Sequence, residues 1–465
     1  MNTHKRLFFC RQMTTVPVVR QLQSGFSMVE LMIAMALGLL ILAALVTLFI
    51  NISRTNTEMA KMNSQIENGR FSMQILQHDV AHAGFWGDFV PQFNDLTWVS
   101  DPSDVPTVVP DPCLPHASWT NAYISNLVGI PLQTYGDSVP AGAGCVTNLA
   151  ANKKAGTDIL VVRHADTCIP GAANCEADIA GQLYFQAAQC ESSPQEPNSL
   201  TTIKLSDSAS SVSDYFNGFQ INIVWGIGIG QSRMITDYDG ATRVARIEPA
   251  WETGKAPKIS SVYAFNYALN TDRHIFFKRD CITPADKRKF VSNIYYVRDY
   301  ANTAGDGIPT LMRSGFDLAG GVLAHQAAVP LIEGIEGFVV ELGIDSISDG
   351  GVDTINDPAP NRYIDAVNWS DSYNLVSPLN RGDGVPDYYV RCSSATPCTA
   401  AALANVVSAR IHVLARSDSP TPGYKDSKTY NLGDTVLGPF NDGYKRHVFS
   451  TTVRLNNVSG RRETP

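Results

Sequence analysis

His78 and His82 stand four residues apart with Asp79 beside the first, the spacing by which one helix face presents two imidazoles and an acid to a zinc ion. A zincin would carry Glu where Asp79 stands and would need a third ligand, which the sequence does not offer. Asp345, Asp349 and Asp353, in the run DSISDGGVD, place three carboxylates close together with glycines easing the turn, an arrangement that suits a hard cation such as Ca2+. Asp383 and Asp387, in GDGVPD, repeat it more sparsely, and Asp-Gly turns that cap strands account for the same residues without an ion. Cys168/Cys175 and Cys392/Cys398 each close a short polar loop and are the disulfide candidates; there is no Cys-x-x-Cys, and the spacings fit no zinc ribbon. Nucleophile-elbow and P-loop motifs are absent, and GIGIGQ at 226–231 reads as a glycine-rich strand end.

A second kind of chemistry sits near the start. Residues 26–50, FSMVELMIAMALGLLILAALVTLFI, carry one charge, Glu30. About 20 apolar residues at roughly 1.5 Å each span a hydrocarbon core. Residues 1–25 hold Lys5, Arg6, Arg11 and Arg20 and no acid, so the N-terminus is expected to stay in the cytoplasm while the remainder crosses. The apolar run is too long for a signal-peptide core, and the small residue that looks cleavable, Gly25, precedes it rather than follows it. A carboxylate near a bilayer centre costs roughly 2.5–3.5 kcal/mol, so Glu30 needs a partner. Cleavage after Gly25 would create one, because the new α-amino group of Phe26 is a cation that a neighbouring copy could present.

The elements that carry these groups follow from pattern. The 465 residues are 44% hydrophobic, enough for a packed core, and a formal charge of -8 with no Lys/Arg block argues against a nucleic-acid partner. Eight of the nine cysteines lie beyond residue 100, as an oxidising compartment would produce. From Ile52 to Ala83 an apolar stripe recurs every three or four residues through Met59, Met62, Ile66, Met73, Leu76 and Val80, without a proline, and predicts one helix from about Ser27 to Ala83. Beyond it, Gly, Pro, Asn and Asp punctuate short β-rich runs at 157–164, 218–226, 261–269, 273–279, 293–300, 337–345, 406–417 and 447–458. One long helix before many short strands predicts an α+β fold with antiparallel sheets. The single tryptophans, Trp86, Trp119, Trp225, Trp251 and Trp369, read as packing residues.

The string Gly25-FSMVEL before an apolar helix resembles the type III, or prepilin, signal of type IV pilins and type II secretion pseudopilins. That resemblance implies cleavage after Gly25, N-methylation of Phe26 and a docking role for Glu30. Initiation at Met13 would bring the leader nearer the usual length and discard Cys10. Further on, ILQHDVAHAGFWG, PLIEGIEGFVVELGID, GDGVPDYYV, ARIHVLARS and HVFSTTVRLNN together resemble the PilW family of minor pilins, which is akin to the J-type minor pseudopilins. Ile347 stands where that family's Asp/Gly-rich loop would have an acid, and residues 346–381 look like an insertion.

The resemblance implies a pilin-like chain: leader 1–25, transmembrane or pilus-core helix 26–50, amphipathic continuation 51–84, and a periplasmic β-rich domain 85–465. It implies a non-enzymatic subunit that is anchored in the inner membrane, primes pilus assembly and sits in the tip complex on the cell surface. The implied partners are other minor pilins and the major pilin, a prepilin peptidase, an inner-membrane assembly platform and a PilY-type tip adhesin. Two alternatives are a J-type minor pseudopilin and a membrane-anchored periplasmic metal-dependent hydrolase that would act through His78/His82 or the Asp345 cluster. No cofactor other than Ca2+ is implied.

Overall fold

The computed structural model describes residues 25, 27–95, 102–136, 152–271, 276–346 and 382–463. Helix α1 runs from Met28 to His82 and belongs to two units, residues 1–60 and residues 61–465. In the first unit every side chain from Met28 to Thr57 is exposed, including the whole apolar run. Apolar residues all round and none of them buried within the chain make this a helix that must find a lipid or protein environment elsewhere.

In the second unit the helix buries one face. Met73, Leu76, Val80 and Ala83 pack as the stripe requires, and Gly69 lets the ring of Phe449 lie directly on the helix backbone. Met62 and Ile66, placed on the stripe by their spacing, are exposed instead, and Gln65 and Ser72 are buried. The face turns because polar bonds decide it there: the Gln65 amide donates to the Ala415 carbonyl at 2.8 Å, and Ser72 donates back to the Gly69 carbonyl at 2.9 Å. The helix stops where Gly84 takes φ +74° and Gly87 φ +63°, in the left-handed region that ends helices.

Two antiparallel sheets meet α1 in one core. The first has the order 132–135, 159–165, 287–298, 310–319 and 322–325, with 329–333 and 184–187 also paired to its long strands. The second has the order 388–390, 335–344, 406–416 and 446–454. Strand Ile335–Ile344 is buried along its whole length. Phe338, Val340 and Leu342 join the helix core, while Val339 joins Leu414, Tyr430 and Leu432 on the other face. Asp158 ties the sheets: its carboxylate accepts from the Val340 N–H at 2.9 Å and pairs with Arg391 at 2.5 Å.

A third sheet occupies the middle of the chain, in the order 191–192, 262–265, 220–225, 232–239, 244–248 and 202–204. It has its own core, built on Ile203, Phe216, Ile223, Ile235, Tyr238 and Tyr263. The chain enters it after strand Tyr184–Ala187 and leaves it through Tyr267–Asn270, and these two strands pair with each other. A disulfide between Cys190 and Cys281 closes the same neck. The run at 261–269 is therefore two strands, separated by buried Asn266. Of the run at 273–279, residues 276–279 make only an isolated bridge, Phe277 to Pro284; its first part lies outside the described residues. Trp86 and Trp251 are core residues and Trp225 is 67% exposed; Trp369 lies outside the described residues.

Candidate assembly segment and its supporting ion pairs

Gly25 is exposed, with no atom within 4 Å of where a side chain would begin. Phe26 lies outside the described residues. Ser27 then caps α1: its Oγ accepts from the Val29 N–H at 3.3 Å, and its carbonyl accepts the first helical bond from Leu31 at 3.1 Å. Glu30 reaches back to accept from the Ser27 N–H at 3.4 Å. Ser followed three residues later by Glu is a capping box, and a carboxylate in the first turn also meets the positive end of the helix dipole. FSMVEL thus specifies a helix start as well as a charge. The Ser-x-x-Glu spacing was the available signal for it.

At the other end of α1, Asp79 enters the core. Its carboxylate accepts from His164 Nε2 at 3.0 Å, Asn293 Nδ2 at 3.0 Å and the Tyr295 hydroxyl at 2.9 Å. His164 Nδ1 faces the Ala165 carbonyl at 2.8 Å. Both ring nitrogens face acceptors, so the imidazole is held as a cation. Burial pulls His164 down, but the Asp79 bond and charge outweigh it and leave the group above its ordinary value. Burial pushes Asp79 up, and the bonds from His164, Asn293 and Tyr295 outweigh that, leaving it low. The motif that resembles a zinc site is thereby divided. Asp79 turns inward as an ion-pair partner, and the His82 ring lies tilted 4.6 Å from that of exposed His78 with Nδ1 at 2.7 Å from the His78 carbonyl.

Asp345 ends strand Ile335–Ile344 and is buried. Its Oδ2 accepts from the Gly384 N–H at 2.9 Å and lies 3.3 Å from the fully buried guanidinium of Arg462, while Oδ1 has no partner among the described residues. Burial raises its pKa to about 6 against the opposing charge of Arg462. Asp349 and Asp353 lie outside the described residues. Asp387 accepts from the Ser346 N–H at 2.8 Å, and Asp383 from Val385 N–H at 2.8 Å, as acids in strand-end turns do.

A cluster the sequence reading missed centres on Arg446. Its guanidinium contacts Glu336 at 2.5 Å, Asp426 at 2.8 Å and Asp442 at 2.6 Å, with Asp426 fully buried. These partners come from 20 to 110 residues away or from the next turn, so no local spacing marks them. Disulfides join Cys168 to Cys175 and Cys392 to Cys398.

An exposed apolar helix of membrane-spanning length, begun by a capped acid behind a small residue, suits a membrane anchor. The sequence matches the prokaryotic N-terminal methylation motif over residues 20–46 and type IV pilus-assembly protein W over residues 294–457. Together the two matches support a PilW-family minor pilin of the type IV pilus. No curated protein and no solved structure matches it.

Proposed function

We propose that this minor pilin is made as a prepilin, cut after Gly25 and N-methylated on Phe26. The helix 26–50 then holds it in the inner membrane with residues 85–465 in the periplasm. From there it joins other minor pilins, and with them the major pilin and the assembly platform, in a complex that primes the pilus and stays at its tip, where a PilY-type adhesin is a candidate neighbour. The observation that carries this reading is the exposed apolar surface from Met28 to Ile50 with Glu30 as its single charge. In a bundle of such helices Glu30 is tolerable only when paired, and the Phe26 amine of an adjacent subunit has the sign and position to pair it. The role is structural and needs neither catalysis nor a cofactor. Asp345 serves in it as the acid of a buried ion pair; an unfolding midpoint raised by millimolar Ca2+ would reassign it as a ligand.

Intact mass of the protein from a strain with active prepilin peptidase tests the first step. The expected species begins at methylated Phe26, Gly25→Ala leaves the leader attached, and an uncut wild-type chain would overturn the reading. Glu30→Ala should leave cleavage and insertion intact while lowering incorporation into pili; normal piliation by that variant would remove the docking role. Deletion should abolish pili and spare protein secretion. The opposite outcome assigns the J-type pseudopilin branch.

A further inference from the structure

A depression of about 290 Å³ opens where the middle sheet meets helix α2 (Asn121–Gly129) and strand Tyr267–Asn270. No charged side chain lines it among the described residues. Its polar side chains are the carboxamides of Asn121, Asn126, Gln220 and Asn266 with the hydroxyls of Ser103, Thr107, Ser125 and Tyr267, and its apolar residues include Ile124, Phe219 and Leu269. Asp104, between two lining residues, turns away onto the Gln92 and Phe93 N–H groups at 2.7 and 3.2 Å.

Three of the lining residues belong to a closed ring of hydrogen bonds. Gln92 donates to Ser232 Oγ at 3.0 Å, Ser232 to Asn222 Oδ1 at 2.5 Å, Asn222 to Asn266, Asn266 to Gln220, Gln220 to Ser103 Oγ at 2.7 Å, and Ser103 to Gln92 Oε1 at 3.0 Å. Every member donates in the same sense, so each bond polarises the next and the orientation of each amide is fixed. Each carboxamide has two N–H groups, and the ring needs one. Asn126 commits its carbonyl to the Thr107 N–H at 2.8 Å, and the Asn121 nitrogen meets only the weak acceptor sulfur of Met234, at 3.6 Å, among the described residues.

We propose that this depression is a binding site for a neutral carbohydrate. Fixed amides that donate and accept match pairs of adjacent hydroxyls, the rings of Phe219 and Tyr267 give the lining apolar contact for a sugar's C–H groups, and a lining without charge among the described residues disfavours anionic and cationic ligands. The volume is at the small end of ligand pockets, which run from roughly 300 Å³, and suits one or two sugar rings. An extended peptide would also use amides, and strand Tyr267–Asn270 pairs on one edge only, with Tyr184–Ala187, among the described residues; the preference for a sugar rests on the side-chain amides of the lining.

The test is titration of the full-length protein, held in a detergent without a sugar headgroup, with N,N′-diacetylchitobiose, lactose and maltose, read by saturation-transfer NMR and calorimetry. Saturable binding of at least one disaccharide is expected. Asn121→Ala should weaken it about fivefold, the effect of one hydrogen bond, and Ala122→Trp, at an exposed helix position on the rim, should abolish it with the unfolding midpoint unchanged. Failure of folded wild-type protein to bind any of the three, or binding that survives Ala122→Trp, overturns the proposal. So does binding of triglycine in the depression without any sugar.

Discussion

The pilin body and the middle sheet are held together by different chemistry. In the body, buried ionised groups link distant segments: Asp79 with His164, Asp158 with Arg391, Asp345 with Arg462, and Glu336 and Asp426 with Arg446. Every buried Asp, Glu, Lys or Arg among the described residues lies outside 188–266. Inside that stretch the buried polar groups are Asn222, Gln231, Ser261 and Asn266, the core mixes isoleucines with aromatic rings, and Phe216 stacks on Phe265 at 4.8 Å. The match to assembly protein W covers 294–457, which holds Glu336, Asp345, Arg391, Asp426 and Arg446, and does not extend to the middle sheet. Buried ion pairs fail badly when one partner is lost, because the other charge stays behind. A module with no buried charge among the described residues, stapled at its neck, can differ without leaving an unpaired charge inside the body.

The comparison can be broken most forcefully at Arg446. Arg446→Ala leaves fully buried Asp426 with only tyrosine hydroxyls as partners among the described residues, takes from Glu336 its nearest cation though Arg416 and Lys154 remain near it, and should cost about 3–5 kcal/mol in denaturant unfolding; a loss no larger than a surface substitution gives would mean these charges are not what joins the body. Removing the neck staple with Cys190→Ala and Cys281→Ala together should cost about 2–4 kcal/mol. Hydrogen exchange should place that loss in 191–265 and spare strand Val406–Arg416. Faster exchange spread evenly over both regions would show that they unfold as one.

The smallest effect is in pH. His164 is raised in the folded state, so its contribution is complete below its ordinary value near 6.5 and is lost as pH rises through the folded value. Asp79 is lowered, so its contribution is present above about 4 and is lost as pH falls through the folded value. The pair should therefore stabilise the body most between about pH 4 and 6.5. His164→Gln should flatten the alkaline side of the profile, measured by unfolding midpoints, while exchange in 191–265 stays level. An unchanged profile would remove the charge from His164.

The sequence by itself determined the features whose cause is local. The apolar run with one acid, the capping pattern from Ser27 to Glu30, the helix ending at Gly84, and the strands around 157–164, 337–345 and 406–417 all rest on period, propensity or a residue's own backbone freedom. The short-loop pairs Cys168/Cys175 and Cys392/Cys398 were visible for the same reason, being close in the chain. Tertiary structure alone decided the rest. Met62 and Ile66 left the buried face because Gln65 found the carbonyl of Ala415, 350 residues away. Asp79, read from its neighbours as part of a metal motif, became an ion-pair partner because two strands from the middle of the chain brought His164, Asn293 and Tyr295 to it. The closed ring of amides draws on residues from 92 to 266, and a hydrogen bond carries no mark in the sequence when its partners are brought together only by the fold.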